Sequence, residues 1–326
     1  MIKVSNLSKY FKIAKHNRGT FGAVRNLFNT EYNLVKAVDQ VNFEIQAGEL
    51  LGYIGPNGAG KSTTIKMLTG LLVPTSGDLL VNQLVPWKNR KRYVAEIGAV
   101  FGQRTTLWWD LPVIESLELL QHIYHVPEKR FRANFNEFRE ILELDAFLDT
   151  PVRSLSLGQR MRADICAALL HNPKLLFLDE PTIGLDVVAK ERIRRFIRYI
   201  NEERGTTVLL TTHDISDVEK LCQRVMIIDH GKLLYDGNLA ALKNRFGGKR
   251  ILEVDFAENY AEIPLEGAEV AERSGHKVTY HFQRGTITAS ALIGQLSAKY
   301  RVRDIEVRQQ EIESIIRRIY EERLLE

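Results

Sequence analysis

The segment GPNGAGKST, residues 55–63, constrains the fold of this chain most strongly, because it fits the pattern G-x-x-x-x-G-K-[ST]. An apolar, strand-like run precedes it, and a stretch with helical periodicity follows it. Gly58 and Gly60 allow the backbone to bend so that N–H groups converge on phosphate oxygens, and the helix start adds its positive end. We therefore predict a strand, a phosphate-binding loop and a helix, with ligand contacts from Gly55, Asn57, Gly58, Ala59, Gly60, Lys61, Ser62 and Thr63.

Lys61 and Ser62 carry the charge and the metal contact of this loop. In loops of this pattern the lysine reaches the β- and γ-phosphates of a nucleotide and the hydroxyl binds Mg²⁺. Such a loop also requires a carboxylate on a neighbouring strand to hold the metal. The apolar run LLFLDEP, residues 175–181, ends in two acids. Acids at a strand end are often only solvated, but here we assign Asp179 to Mg²⁺ and Glu180 to the general base that polarises the attacking water.

The segment SLSLGQRMR, residues 154–162, narrows the choice among nucleotide hydrolases. It resembles the signature of ABC ATPases, whose usual form is Leu-Ser-Gly-Gly-Gln, although Leu157 replaces the first glycine. The resemblance implies that Ser156, Gly158 and Gln159 contact ATP from a helix N-terminus, where a hydroxyl and backbone amides can cap the γ-phosphate.

Three further segments match the same family in the family's order. Gln103, in VFGQR, resembles the glutamine that links the core to a helical subdomain and approaches the metal. Asp186, in GLD, resembles the D-loop aspartate that lies near the nucleotide, and His213, in LLTTHD, resembles the switch histidine that contacts the γ-phosphate. The resemblance covers about residues 1–240 and implies ATP and Mg²⁺ as ligands, with Glu180, His213 and Gln103 catalytic.

In this family the adenine usually stacks on an aromatic residue a little over twenty residues before the phosphate loop. Tyr32 lies 23 residues before Gly55, whereas Tyr10 and Phe11 lie beyond an insertion at residues 12–34. We therefore expect Tyr32, rather than Tyr10 or Phe11, to contact the adenine.

The single ATPase domain, the segment after Gln103 and the tail resemble ABC-2-type exporter ATPases, which include drug-resistance, sodium-extrusion and polysaccharide exporters. The resemblance implies that ATP is sandwiched between this chain and a second copy, or a paralogous ATPase. It also implies a separate integral-membrane permease, reached from the cytoplasmic face of the cell membrane. Trp108, Trp109 and Leu111 are then candidate surface anchors for the permease. The alternative is that both tryptophans are core residues of the helical subdomain.

Two other classes remain as alternatives within the family. Translation-type ABC proteins carry two ATPase domains and repair-type members carry long heptad coils, whereas this chain has one phosphate loop and no such coil. An ATPase of a metabolite importer is expected to differ in its tail and in the segment after Gln103.

The alternation of apolar strands and helices indicates an α/β fold, a P-loop NTPase core with a mainly parallel sheet flanked by helices. We expect an ATPase domain at residues 1–245, with a helical subdomain at about 86–172, and a small C-terminal α+β domain at 246–326. The last helix has one apolar face, expected to cover its own small sheet or the tail of a partner chain. That face consists of Ile312, Ile315, Ile316 and Ile319.

Composition adds limits on partners and compartment. The net charge of +4 on 326 residues gives no argument for nucleic-acid binding. No apolar run approaches the roughly 20 residues of a membrane-spanning helix. Cys166 and Cys222 lie among apolar neighbours without metal-type spacing, which predicts buried, inert thiols in a reduced, intracellular chain.

Overall fold

The computed structural model describes residues 1–14, 32–102, 104–246, 249–283, 285–309 and 312–321. The chain forms two compact units, Met1–Asp236 and Gly237–Glu326. The strands are β1 (Ile2–Ala14), β2 (Tyr32–Ile45), β3 (Leu50–Ile54), β4 (Ser76–Val81), β5 (Ile97–Phe101), β6 (Leu175–Asp179), β7 (Thr207–Thr212), β8 (Arg224–Asp229), β9 (Lys232–Asn238), β10 (Lys249–Phe256), β11 (Ala268–Ser274), β12 (Lys277–Gln283) and β13 (Val302–Gln309). The helices are α1 (Lys61–Leu68), α2 (Arg90–Val94), α3 (Val113–Ile123), α4 (Glu128–Ile141), α5 (Leu157–Leu169), α6 (Val187–Glu202), α7 (Ile215–Leu221), α8 (Leu239–Phe246), α9 (Ala289–Lys299) and α10 (Ile312–Glu321).

A six-stranded sheet forms the centre of the first unit, in the order β5-β6-β7-β3-β8-β9. The pairs β5–β6, β6–β7, β7–β3 and β3–β8 are parallel. All residues of β6 and β7 are buried, as expected for parallel strands covered on both faces. The prediction of an α/β fold with a mainly parallel sheet is therefore confirmed.

A second sheet, in the order β2-β1-β4, is antiparallel and packs its apolar side chains into the same core. In β2, Val41, Phe43 and Ile45 are buried and alternate with exposed residues, which is the pattern of a strand with one covered face. The pairing of β1 with β2 continues as far as Ala14 and Tyr32. The ends of the predicted insertion at 12–34 thus belong to a long hairpin, and residues 15–31 lie outside the described part of the chain.

The helical subdomain consists of α3, α4 and α5. Phe131, Phe135 and Phe138 of α4 are buried and lie on one helical face. The predicted interval of 86–172 begins too early, because β5 inside it is a strand of the parallel sheet. The apolar run of β5 is too short for its period to distinguish strand from helix.

The second unit contains α8 and a four-stranded antiparallel sheet in the order β11-β12-β10-β13. Leu292 and Leu296 of α9 belong to the core of this sheet. The four isoleucines of the last helix, α10, are at most 2% exposed, and this helix contacts α8 within the same unit. The isoleucine face is therefore buried within its own unit, where α8 contributes to its cover, and a contact with the tail of a partner chain stays a prediction. The boundary between the two units falls between Asp236 and Gly237, so α8 belongs to the tail. This boundary is earlier than the predicted 245/246.

Both cysteines are buried, as predicted, and burial raises the pKa of each thiol. Within the described ranges, no helix combines the length and the hydropathy needed to cross a bilayer.

Candidate active site

The phosphate loop joins the end of β3 to α1 through two left-handed glycines. Gly58 has φ 84° and Gly60 has φ 111°, values that residues with side chains rarely adopt. A Cβ on Gly60 would also lie 2.3 Å from the carbonyl oxygen of Ala37. No side chain caps the start of α1, so its first N–H groups remain available to an anion.

Lys61 is held in the loop by hydrogen bonds to the loop backbone. Its ammonium donates to the carbonyl oxygens of Gly55 at 2.7 Å and Pro56 at 3.2 Å, and lies 3.8 Å from Glu180 Oε1. Burial lowers the pKa of Lys61, although the carboxylates of Glu180 and Asp179 act in the opposite direction. Lys61 thus supplies a positioned cation at the floor of the loop.

Ser62 and Asp179 meet where α1 begins beside the end of β6. Ser62 Oγ donates to Asp179 Oδ1 at 3.2 Å, and the Thr211 hydroxyl donates to the same oxygen at 2.5 Å. Two of the three predicted metal ligands, Ser62 and Asp179, are therefore brought together with only oxygen donors, which Mg²⁺ prefers. Thr211 was missed in the sequence, although its position two residues before His213 at a strand end was a usable signal.

Glu180 follows Asp179 with φ 57°, an unusual value for a residue with a side chain. Its backbone N–H donates to the Thr211 carbonyl oxygen at 3.0 Å. His213 Nδ1 lies 2.6 Å from Glu180 Oε2. Because a carboxylate accepts, Nδ1 carries the proton in this pair. The predicted base and the predicted switch histidine are thus in direct contact.

A cavity of about 470 Å³ collects most of the predicted phosphate ligands. Its lining consists of Ala37, Pro56, Asn57, Gly58, Gly60, Lys61, Ser62, Thr63, Glu180, Ile183 and His213. An adjoining cavity of about 280 Å³ shares Ser62 and Glu180 with it and adds Asp179. Gly55 and Ala59 are buried behind the loop and do not line the cavity.

The signature segment lies elsewhere in the chain. Ser156 caps α5 and forms a reciprocal capping box with Gln159, and neither they nor Gly158 line the phosphate cavity. Leu157, which replaces the family's first glycine, packs on the neighbouring loop: its Cδ2 lies 3.0 Å from the position a Cβ would take on Gly184. Asp186 caps α6 through a 2.8 Å bond from the Ala189 N–H and is also outside the cavity.

The hairpin places Tyr32 far from the cavity. Tyr32 pairs with Ala14 and lies five residues from Ala37, the residue of β2 that lines the cavity. At about 3.3 Å per residue that is roughly 16 Å. Phe11 pairs instead with Val35, and Tyr10 with Lys36, both close to Ala37. The register therefore argues against Tyr32 as the adenine contact. In a hairpin, the number of residues that separates Tyr32 from the phosphate loop does not give their distance in space.

The segment that follows β5 borders the same site. The Gly102 N–H donates to the Asp179 carbonyl oxygen at 2.8 Å, and the next residue, Gln103, lies outside the described part of the chain. Further along, Trp108 is 39% exposed and Trp109 is 52% exposed, so the alternative that both are core residues is wrong.

Asp164 of α5 fixes the start of this exposed loop. Its Oδ1 accepts from the Thr106 N–H and from the hydroxyls of Thr105 and Thr106. Burial nevertheless raises the pKa of Asp164, against the effect of these donors. The two tryptophans therefore project from an anchored segment.

The fold and this cavity together define a P-loop nucleotide hydrolase, with a cation, two acids and a histidine around one anion site. Residues 38–183 match the family model described as ABC transporter. The chain is 35% identical over 234 residues to the bacitracin transport ATP-binding protein of Bacillus licheniformis, covering 72% of this chain and 74% of that protein. It is 32% identical over 266 residues to the Nod factor export ATP-binding protein I of Cupriavidus metallidurans, covering 81% and 87%.

Among solved structures, a dimeric ATP-binding cassette in a post-hydrolysis state with ADP and Pi has a TM-score of 0.61 and 29% identity. That match covers 73% of this chain and 99% of the other. The chain belongs to the ATP-binding proteins of the ABC transporter family, and it is an ATPase.

Proposed function

We propose that this chain energises an ABC-2-type exporter, acting as a homodimer on the cytoplasmic face of a membrane and driving a separate permease. The observation that carries the proposal is the division of the predicted ATP ligands: one set surrounds the phosphate cavity, while Ser156 and Gly158 lie apart from it. Similar proteins named for bacitracin transport and Nod factor export support an exporter.

Within the cavity, each side chain has a distinct proposed role. Lys61 neutralises the β- and γ-phosphates, and Ser62 with Asp179 fits Mg²⁺, which would offset phosphate charge when bound. Glu180 accepts a proton from the attacking water, and His213 orients that carboxylate through its Nδ1–H. Gln103 remains a proposed ligand for Mg²⁺ and the water on family grounds alone.

The separation of the signature from the cavity supports a site shared by two copies. The capping box leaves Ser156 exposed at the start of α5, where amides and a hydroxyl can meet a γ-phosphate held by another chain. The solved cassette that resembles this chain is a dimer, which supports the pairing of two copies. Closure of the two copies around two ATP molecules would complete both sites. Hydrolysis would then allow the two copies to separate.

The exposed tryptophans provide the proposed contact with the permease. Trp108 and Trp109 lie on a loop that continues from β5, whose end touches Asp179. Arg160 of α5 lies 5.7 Å from the ring of Trp109. Large aromatic side chains on an anchored surface are typical of interface hot spots. A movement at the nucleotide would therefore be transmitted to the membrane subunits through this loop.

The proposal is tested with Glu180→Gln, which keeps the shape of the side chain but removes its basicity. We expect normal ATP binding, hydrolysis slower by about 10²–10⁴-fold, and a dimer that persists on sizing chromatography with Mg-ATP. Glu202→Gln, the same change at an exposed position on α6, serves as the control. A monomer with near-normal turnover for Glu180→Gln would remove Glu180 from the role of general base.

A further inference from the structure

A buried ion pair joins α6 to α7 beneath the catalytic residues. Arg194 is 5% exposed and Asp217 is fully buried. Arg194 Nε donates to Asp217 Oδ1 at 2.6 Å, and Arg194 Nη2 donates to the hydroxyl of Ser216 at 2.9 Å. Burying two charges is costly unless they are paired and fully hydrogen-bonded, so the remaining oxygen of this carboxylate needs partners as well.

Those partners come from the two segments that carry the proposed catalytic pair. Asp217 Oδ2 accepts from the hydroxyl of Thr182 and, at 3.4 Å, from that of Thr212. Thr182 lies two residues after Glu180, and Thr212 directly precedes His213. One buried carboxylate therefore accepts hydrogen bonds from two residues that lie close in sequence to Glu180 and His213.

The backbone of Glu180 needs such support. A residue with a side chain at φ 57° is strained, and this conformation persists only when the surroundings hold it. On one side, the Glu180 N–H is fixed by the Thr211 carbonyl oxygen. On the other side, the nearest side-chain hydrogen bond among the described residues is the one from Thr182 to Asp217.

We propose that Asp217, with its charge held by Arg194, is a positioning residue that acts through Thr182 and Thr212 to keep Glu180 and His213 in hydrogen-bonded contact. Asp217 is fully buried and does not line the phosphate cavity. The inference rests on the proposed roles of Glu180 and His213. A pair that merely attaches two helices to the sheet would contribute to stability and leave the rate of the folded protein unchanged.

Thr182→Val tests this inference on the whole chain. It removes the hydroxyl that reaches Asp217 but leaves the Arg194–Asp217 pair intact, whereas Asp217→Asn would leave a buried guanidinium without its counter-charge. We expect kcat for Mg-ATP hydrolysis to fall about tenfold, with KM changed less than twofold. Thr182→Ser keeps the hydroxyl and should restore the parent rate. Thr207→Val, which removes a buried hydroxyl at the opposite end of β7, is the matched control.

The same change in a His213→Ala background separates positioning from stability. If Thr182 acts through the catalytic pair, Thr182→Val should slow single-turnover hydrolysis less than twofold once His213 is absent. An equal loss in both backgrounds, or a Thr182→Val rate within twofold of Thr207→Val, overturns the inference. Glu180→Gln in the same assay distinguishes the two proposals. If Glu180→Gln hydrolyses ATP at the normal rate, the proposed function fails. If Glu180→Gln is slow but Thr182→Val has the normal rate, only the positioning role of Asp217 is removed.

Discussion

At the residue scale, Lys61 combines a buried charge with two hydrogen bonds to the backbone of the phosphate loop. Its ammonium contacts the carbonyl oxygens of Gly55 and Pro56, while Glu180 is the nearest anion. Because burial already lowers its pKa, a bound triphosphate would supply counter-charge that the protein alone provides only in part. The two carbonyl oxygens therefore hold the cation where a phosphate in the loop would meet it.

The adenine contact is predicted from strand register. We expect Phe11→Ala to weaken ATP binding by about 1 kcal/mol, roughly fivefold in Kd, because Phe11 pairs with Val35, two residues from the cavity residue Ala37, and its stacking surface is lost. Phe11 is preferred to Tyr10, whose hydroxyl is already bonded to Asp39. Tyr32→Ala, at the far end of the hairpin, serves as the comparison and should change Kd less than twofold. Titration with a fluorescent ATP analogue measures Kd for both variants. A larger loss of affinity for Tyr32→Ala than for Phe11→Ala would restore Tyr32 as the adenine contact.

Sequence patterns located the residues whose partners are close along the chain or lie at strand ends. Ser62 and Asp179 were paired correctly because a phosphate loop and a neighbouring parallel strand have few possible arrangements. The position of Tyr32 depended on where a hairpin turns, which spacing does not reveal. The contact between Thr182 and Asp217 spans 35 residues and involves residue types common at helix starts, so no local signal marked it.

At the scale of elements, the start of α7 depends on Asp214, which caps the helix directly after His213. Asp214 accepts from the Ser216 N–H at 3.0 Å and pairs with Lys190 at 2.6 Å. Burial acts to raise the pKa of Asp214, but the hydrogen bonds from Lys190 and Ser216 outweigh it and hold the pKa at about 2, below its ordinary 3.8.

This depressed pKa gives a pH dependence with a defined sign. The ionised form is favoured in the folded chain, so the stabilisation is present above about pH 4 and is lost as the pH falls through about 2. Asp214→Asn keeps the cap but loses the charge, and should lower the free energy of unfolding by about 1–2 kcal/mol at pH 6, after allowance for partial exposure. Urea unfolding from pH 6 to 2.5 should show this difference shrinking.

Asp110→Asn is the control for that measurement. Asp110 forms an ion pair of 2.7 Å with Arg153, but both side chains are more than half exposed. Such a pair contributes at most about 1 kcal/mol. A loss for Asp214→Asn that does not change with pH would contradict the electrostatic account.

At the scale of the whole molecule, the two compact units predict where the chain can be shortened. A chain ending at Asp236 should bind Mg-ATP with unchanged Kd, because every described lining residue of the phosphate cavity lies before that point. A chain ending at Phe246 retains α8 but loses α10, with which α8 is in contact, and should aggregate more readily. Calorimetry for nucleotide binding and light scattering for aggregation compare the two. Failure of a folded 1–236 chain to bind ATP would mean that the tail shapes the site.

The separation of the Ser156 cap from the phosphate cavity has a consequence for kinetics. If one copy can hold the nucleotide but only another can cover it, turnover requires an encounter between chains. Specific activity should then fall on dilution, and below the dissociation constant of the pair the rate should depend on the square of protein concentration. The membrane would change this order, since two chains docked on one permease are held at a high effective concentration. Such a chain would hydrolyse little ATP while free and would hydrolyse it efficiently only when it is docked on its permease.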